Sequence, residues 1–273
     1  MQKRTLCAAL CLVFCIALSG KAAAADTAAL SVAVNGAVLE TEIPGEIYNQ
    51  VTYVYYWPII QQLDPEATVT WGETGAVIQA EGLTLNIRPG SDYLVANGRY
   101  LYLTNGVRMN EDGVCMVPAT ALAWALGGCA WWDGEGNVLH VTAGDTYVES
   151  GESYYDADDL YWLSRIISAE SGNQPLEGKI AVGNVILNRV DDPAFPNSIY
   201  DVIFQRNQFT PAMTGSINNT PNTESVIAAK LCLEGANTVG DALYFVNPYT
   251  SPNSWASRNR PYVATIGAHA FFA

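Results

Sequence analysis

One glutamate in the C-terminal half of the chain has a sequence context suited to acid–base chemistry. Apolar residues recur at helical spacing through residues 160–167, and the next position on that stripe is Glu170. Ser171 and Gly172 follow, so the carboxyl group would lie on the buried face of a helix, near its carbonyl end. Burial and the helix dipole would both favour the protonated form. That form is what general-acid cleavage of a glycosidic bond requires, although a partly exposed glutamate at a helix end is the simpler structural alternative.

Two predicted helices would position this carboxyl group. The first begins at Asp158 or Asp159, either of which can cap it, and ends at Glu170. The second has Pro175 in its first turn and continues to about Arg189. Because the second helix is nearly all apolar, we expect it to lie at the centre of a small domain. There it would support the first helix and fix the direction in which Glu170 points.

The residues around Glu170 resemble the opening block of the SleB/CwlJ-type cell-wall hydrolases. That block covers residues 168–190 here. The resemblance continues, in order, at residues 193–199, 202–205, 208–209, 242–248 and 260–271. The family includes spore cortex-lytic enzymes, and the resemblance implies cleavage of peptidoglycan glycan strands with Glu170 as the catalytic residue. Family members often have a glutamate where this chain has Gln174, so any role that needs a charge at that site is in doubt.

The number of suitable carboxyl groups bears on the mechanism. A hydrolytic glycosidase normally uses two carboxyl groups that flank the bond, whereas a lytic transglycosylase needs one. The acidic residues after Glu170 fall in predicted turns or on polar helix faces: Glu177, Asp191, Asp192, Asp201, Glu224, Glu234 and Asp241. This favours a lytic transglycosylase that forms 1,6-anhydromuramic ends. A hydrolytic muramidase or glucosaminidase, and a non-catalytic wall-binding protein, are the alternatives.

The family-matching blocks also supply candidate substrate-binding residues with hydrogen-bonding groups or aromatic faces. These are Ser171, Gln208, Phe209, Tyr244, Asn247, Trp255 and Tyr262. For Phe209 a place in the core is favoured over the cleft. Asn247 is equally compatible with a cleft or a turn, and Tyr244 lies in an apolar strand where it could simply pack.

Cysteine and histidine are too sparse for several other kinds of site. After the leader, the cysteines are Cys115, Cys129 and Cys232, and the histidines are His140 and His269. No cluster has the three or four ligands that a zinc hydrolase needs, so no metal site or cofactor is predicted. Cys115 and Cys129 could form a disulfide or remain free. A cysteine peptidase built on Cys232 and His269 is disfavoured, because Cys232 falls on the apolar stripe of a helix, where a thiol is usually inert.

The N-terminal half contains two similar units spaced about 61 residues apart. Residues 69–72 recur as residues 130–133, each with a tryptophan followed by a turn and a β-rich run. Each unit predicts a hairpin, a short helix and a second hairpin. In such an arrangement we expect Trp71 and Trp132 to be core residues rather than sugar-stacking ones. The pair of units resembles the copper amine oxidase N-terminal-like domain, although His140 alone makes no copper site.

The sequence therefore predicts four segments and an α+β fold. Residues 1–25 have the basic, apolar and small-residue order of a secretory signal peptide. Residues 26–143 form a β-rich α+β accessory domain of two repeats, residues 144–156 a linker, and residues 157–273 a mainly helical lysozyme/transglycosylase-like domain. The accessory domain would bind the wall or another envelope protein.

Net charge restricts the partners. The chain carries a formal charge of −14, and residues 26–156 contain 17 acidic and 3 basic residues. Nucleic acid and anionic membrane are therefore poor partners, and no membrane insertion is expected after signal cleavage. Peptidoglycan is the predicted partner. The predicted location is secreted, in the envelope or spore cortex region of a Gram-positive bacterium.

Overall fold

The computed structural model describes residues 30–134 and 136–273. The predicted signal peptide, residues 1–25, lies outside the described residues. Across those residues no helix is long and apolar enough to cross a bilayer.

The N-terminal half forms three small sheets around one hydrophobic core. Its first part contains β1 (Ser31–Val34), β2 (Ala37–Val38), β3 (Glu46–Tyr48), β4 (Val51–Tyr55), α1 (Tyr56–Leu63), β5 (Thr68–Gly72), β6 (Gly75–Ala80) and β7 (Leu83–Ile87). Its second part contains β8 (Tyr93–Ala96), β9 (Arg99–Tyr102), β10 (Arg108–Met109), β11 (Cys115–Pro118), α2 (Ala119–Ala125), β12 (Cys129–Asp133) and β13 (Val138–Thr142). The predicted order of hairpin, short helix and hairpin is confirmed in both units.

Each of the three sheets contains strands from both units. One sheet has the order β12-β13-β1-β2, a second β10-β11-β4-β3, and a third β5-β6-β7-β8-β9. The pairing of β1 with β13 is parallel, and it joins the beginning of the module to its end. The two repeats are therefore one folding unit rather than two independent ones.

The prediction that Trp71 and Trp132 are core residues was wrong. Trp71 is 52% exposed and Trp132 is 42% exposed. Their strand partners, Ala76 and Leu139, are buried, so both tryptophans do stand on the core side of their sheets. However, β5 and β12 are edge strands, and no neighbouring strand of the described residues covers the outer half of either ring.

The C-terminal half is mainly helical with one small sheet. It contains α3 (Gly151–Tyr154), α4 (Ala157–Ser171), α5 (Leu176–Asp191), α6 (Ile199–Phe204), α7 (Thr210–Thr214), a 3₁₀ helix (Ser216–Asn218), α8 (Thr223–Leu233), β14 (Tyr244–Val246), α9 (Trp255–Asn259), β15 (Tyr262–Ile266) and β16 (His269–Phe272). The sheet has the order β14-β16-β15 and is antiparallel. These elements confirm the α+β class and the mainly helical character of this half.

Helix α5 is the central element of this half, as predicted. It packs against α4, α6, α8 and the small sheet, and nearly every residue from Gly178 to Ile186 is buried. Gly183 allows the closest approach: a Cβ added there would lie 2.6 Å from the Cys232 sulfur and 2.9 Å from Cδ1 of Ile167. Glycine at this position therefore lets α8 and α4 press directly onto α5.

Residues 144–156, predicted as a linker from their polar composition, are held in place by specific contacts. Val148 and Tyr155 are buried, and the backbone N–H of Gly151 donates to the carbonyl of Asn97. A Cβ on Gly151 would lie 2.5 Å from the Gly98 carbonyl oxygen. The part of this segment from Val148 to Tyr155 is therefore fastened to the β8–β9 hairpin.

A buried ion pair joins the N-terminal module to the helical half. The Arg99 guanidinium on β9 donates to both carboxylate oxygens of Glu234, which follows α8, at 2.8 and 2.6 Å. Their side chains are 8% and 2% exposed. The Tyr155 hydroxyl also donates to Glu234, and the Tyr154 ring lies 3.5 Å from the Arg99 guanidinium carbon. We call this set, with Lys230 over the Tyr155 ring, the interdomain lock.

Candidate active site

Helix α4 positions Glu170 near its C-terminal end. Its N-cap is Asp156, whose carboxylate accepts from the backbone N–H groups of Asp158 and Asp159, each at 3.0 Å. The predicted cap at Asp158 or Asp159 was therefore wrong by two or three residues. The helix extends through Ser171, one residue further than predicted.

The Glu170 carboxyl group is partly buried and forms no polar contact with the described residues. Its position continues the buried stripe of Leu163, Ile166 and Ile167. Among the described residues, no hydrogen bond or ion pair engages the Glu170 carboxyl group. Burial raises the pKa of Glu170 above its ordinary value, because desolvation disfavours the carboxylate. The group can therefore hold a proton for delivery at a pH where an exposed glutamate would have lost it.

Ser171 has a structural role that the sequence did not suggest. Its side chain is fully buried and its hydroxyl donates to the Ile167 carbonyl at 2.7 Å. The Ser171 hydroxyl is thus engaged by its own helix backbone, and substrate binding by Ser171 stays a prediction. The end of the helix is secured further by Asn222, whose amide donates to the Gly172 carbonyl at 3.0 Å.

The loop after Glu170 is held by neutral and charged contacts. Oε1 of Gln174 accepts from the backbone N–H of Ala268 at 2.8 Å, in the turn between β15 and β16. The buried Lys179 ammonium donates to the Gln174 carbonyl at 2.5 Å and pairs with Glu224. Gln174 thus connects this loop to the small sheet through a contact that needs an acceptor but no charge.

Arg189, which the sequence analysis did not select, organises one group of predicted site residues. It is buried, its Nη1 donates to Oε1 of Gln208 at 3.0 Å, and its Nε donates to the Leu243 carbonyl at 2.8 Å. The guanidinium carbon lies 5.3 Å from the Phe209 ring centre and 5.4 Å from that of Tyr244. Burial lowers the pKa of Arg189 to about 10. The sequence did offer a signal, because Arg189 is the one arginine of this largely apolar helix and lies inside the family-matching block.

Tyr244 continues this group toward the surface. Its ring lies 5.5 Å from the Trp255 ring, and its hydroxyl accepts from Nη2 of Arg260 at 3.1 Å. Trp255 is largely exposed. Gln208, Tyr244 and Trp255 are therefore brought together, with an aromatic face open to solvent.

The remaining predicted residues have separate places. Phe209 is buried in the same core as Ile166 and Ile167, which agrees with its core alternative, and its contact with substrate stays a prediction. Asn247 accepts from the backbone N–H of Tyr249 at 2.9 Å and is a turn residue. Tyr262 is highly exposed, and its hydroxyl donates to Thr265.

The thiols and His269 make no nucleophilic or metal site. Cys115 and Cys129 are free, the first buried and the second exposed, so the disulfide alternative is excluded. Cys232 is buried and donates to the Ile180 carbonyl, and burial raises the pKa of its thiol. His269 is buried beside Phe245. Within residues 30–134 and 136–273, His, Cys, Asp and Glu form no cluster able to hold a metal ion.

Comparison with known proteins divides the chain into the same two halves. Residues 173–272 match the cell wall hydrolase family, and residues 33–148 match the copper amine oxidase N-terminal domain. The spore cortex-lytic enzyme of Bacillus cereus is 37% identical over 117 residues, which is 43% of this chain and 45% of that protein. That of Oceanobacillus iheyensis is 33% identical over 138 residues, 50% of this chain and 49% of that protein. This chain thus spans less than half the length of these curated relatives.

Two solved structures are also similar. The catalytic domain of the germination-specific lytic transglycosylase SleB from Bacillus anthracis is 36% identical, with a TM-score of 0.42, and the match covers 46% of this chain and all of that one. The catalytic domain of the Bacillus cereus SleB protein is 36% identical, with a TM-score of 0.41, covering 48% of this chain and 98% of that one. Residues 173–272 therefore carry a cell wall hydrolase domain, and residues 33–148, which precede it, carry a copper amine oxidase N-terminal domain.

Proposed function

We propose that this protein cleaves the glycan strands of bacterial peptidoglycan as a lytic transglycosylase, with Glu170 as its single acid/base. The observation that carries the proposal is the state of Glu170: partly buried, without a partner among the described residues, and with a raised pKa. It lies three residues before the segment that matches the cell wall hydrolase family. The curated relatives named spore cortex-lytic enzymes support the same class of substrate.

The proposed reaction returns the catalyst to its starting state. The protonated Glu170 donates its proton to the glycosidic oxygen as the bond from C1 of the muramic residue breaks, and the leaving sugar gains a hydroxyl. The resulting carboxylate then accepts the proton of the C6 hydroxyl on the same muramic residue, while that oxygen attacks C1. A 1,6-anhydro ring forms, no water is consumed, and Glu170 is protonated again.

The other acidic groups near the helices support a mechanism with one carboxyl group. Glu234 is engaged by Arg99 and Tyr155, and Glu224 by Lys179. Asp201 accepts from the Ser198 hydroxyl at 2.7 Å. Each of these three carboxylates has a structural partner, whereas Glu170 has none among the described residues and has a raised pKa, which suits it to both proton transfers.

We further propose separate roles for the other candidate site residues. Gln208, Tyr244 and Trp255 contact the glycan through an amide and two aromatic rings, and the exposed Tyr262 ring extends this set. Arg189 acts as a positioning residue, since it bonds Gln208 and lies against Tyr244. The site of action is outside the cytoplasm, in the spore cortex or the vegetative wall.

The mass of the products tests the proposal. Purified cortex and vegetative peptidoglycan are digested with the full protein, and the fragments are analysed by mass spectrometry. We expect ends lighter by one water than reducing ends, and their complete loss in Glu170→Gln. Glu177→Gln, which removes an exposed carboxylate nearby, is the matched control and should retain activity. Reducing ends would show hydrolysis instead, and an unchanged product yield in Glu170→Gln would overturn the assignment of the residue.

A further inference from the structure

The outer face of the β12-β13-β1-β2 sheet carries an unexplained aromatic surface. Strand register separates the two faces of this sheet. Leu139 and Val141 on β13 lie opposite Val32 and Val34 on β1, and all four are buried in the core. Because side chains alternate along a strand, the intervening His140 stands on the opposite face, together with its β12 partner Trp131.

Trp131 and His140 form a flat stack on that outer face. Their ring centres are 4.0 Å apart and the rings are inclined by 4°. Trp131 is 50% exposed. Since β12 is an edge strand of this sheet, no strand within residues 30–134 and 136–273 covers the ring face that points away from His140. His140 therefore fixes the orientation of an indole whose other face is open.

Short hydroxyl side chains flank the stack on the same face. Thr142 lies two residues beyond His140 on β13, and Ser31 lies two residues before Ala33, the β1 partner of His140. Both are exposed. We call Trp131, His140, Ser31 and Thr142 the aromatic platform.

The chemistry of the platform indicates its ligand. A large aromatic ring held flat against solvent gains free energy by covering its apolar face, and surrounding hydroxyls offer hydrogen bonds. A pyranose ring presents the complementary combination of C–H face and equatorial polar groups. The module that carries the platform has 17 acidic and 3 basic residues between positions 26 and 156, which disfavours anionic polymers. An uncharged N-acetylhexosamine ring fits both requirements.

We propose that the aromatic platform is a second glycan-binding site, in which a sugar of the peptidoglycan strand stacks on the open face of Trp131. The choice of polymer rests on the proposed function of the helical half. The interdomain lock holds the module against α8, so a strand bound at the platform stays at a fixed distance from Glu170. The accessory domain thereby retains the enzyme on its insoluble substrate.

Co-sedimentation with insoluble peptidoglycan tests the proposal without cleavage. All variants carry Glu170→Gln, so that binding is measured on intact glycan and a failure of the proposed cleavage mechanism does not affect the result. We expect Trp131→Ala to weaken binding about fivefold, the effect of losing roughly 1 kcal/mol of stacking. Trp131→Phe should restore part of the affinity, and His140→Ala should produce an intermediate loss.

Trp124→Ala is the matched control. Trp124 is 44% exposed but lies on α2, outside the platform, and its removal should leave binding unchanged. Unaltered melting temperatures check that the variants are folded. The proposal is overturned if Trp131→Ala binds as tightly as its parent, if Trp124→Ala weakens binding equally, or if the parent does not sediment with peptidoglycan at all.

Discussion

Replacing Arg99 by methionine should destabilise the protein far more than replacing any surface arginine. The guanidinium holds both oxygens of Glu234, whose side chain is 2% exposed. Methionine keeps much of the side-chain volume but removes the charge. The Glu234 carboxylate would then remain buried and would keep the hydrogen bond from the Tyr155 hydroxyl.

The expected magnitude follows from that burial. Removing one partner of a buried ion pair costs about 3–5 kcal/mol, because the other charge stays desolvated. For a chain of this size, that corresponds to a fall in melting temperature of roughly 6–20 °C. Replacing both residues by methionine removes both charges and should recover at least half of the loss. The Tyr155 hydroxyl, which loses its acceptor, accounts for a residual cost of about 1–3 kcal/mol.

Urea unfolding followed by circular dichroism measures these free energies. Arg108→Met is the matched control, because the Arg108–Glu46 pair is longer at 3.4 Å and its side chains are 27% and 31% exposed. A pair so exposed contributes about 0–1 kcal/mol. If Arg99→Met costs no more than Arg108→Met, or if the double methionine variant is less stable than Arg99→Met, the buried pair does not hold the two halves together as argued.

Two further predictions concern the helices that carry the site. Glu170→Gln should be more stable than the parent at alkaline pH and equally stable at acid pH. The raised pKa means that the native state binds this proton more tightly than the unfolded chain does. The parent therefore loses stability as the pH rises from the pKa of the unfolded chain, about 4.3, through the pKa of the native state. Equal melting temperatures of the two proteins across the pH range would contradict this. Gly183→Ala should lower the free energy of unfolding by about 1–3 kcal/mol through overpacking. It should also reduce glycan cleavage, since the added Cβ meets Ile167 one turn before Glu170. Gly178→Ala, where the added Cβ has its nearest contact at 3.3 Å, should have a milder effect on stability and on cleavage.

Local sequence patterns were sufficient to predict the elements that depend on contacts between residues close together in the chain. The spacing of apolar residues gave α4, the stripe that includes Glu170, and the nearly all-apolar α5. The cap of α4 was misplaced because Asp156, Asp158 and Asp159 are chemically equivalent candidates. Only the backbone geometry selects Asp156.

Contacts between distant parts of the chain could not be predicted in this way. Arg189 bonds a carbonyl 54 residues later, and nothing within its helix identifies that partner. Tyr155 was placed in a linker because its neighbours are polar, yet its hydroxyl bonds Glu234, 79 residues away. The exposure of Trp132 was missed for a related reason: its strand and face were predictable, whereas the edge position of that strand depends on the order of the whole sheet.

Two of the edge strands of the accessory module, β9 and β12, differ in their surroundings. An open strand edge invites association with other chains, and the β9 edge is covered: the Tyr100 backbone N–H donates to the Tyr155 hydroxyl, which itself bonds Glu234. The β12 edge is left open, with Trp131 and Trp132 exposed. A domain that only separated other parts of the protein would need neither the covered β9 edge nor the exposed tryptophans on β12. If the β9 edge docks the module against the helical half and the β12 edge binds glycan, mutations should affect the two roles separately. Arg99→Met should lower the stability while the folded protein keeps its affinity for peptidoglycan. Trp131→Ala should lower that affinity and leave the stability unchanged.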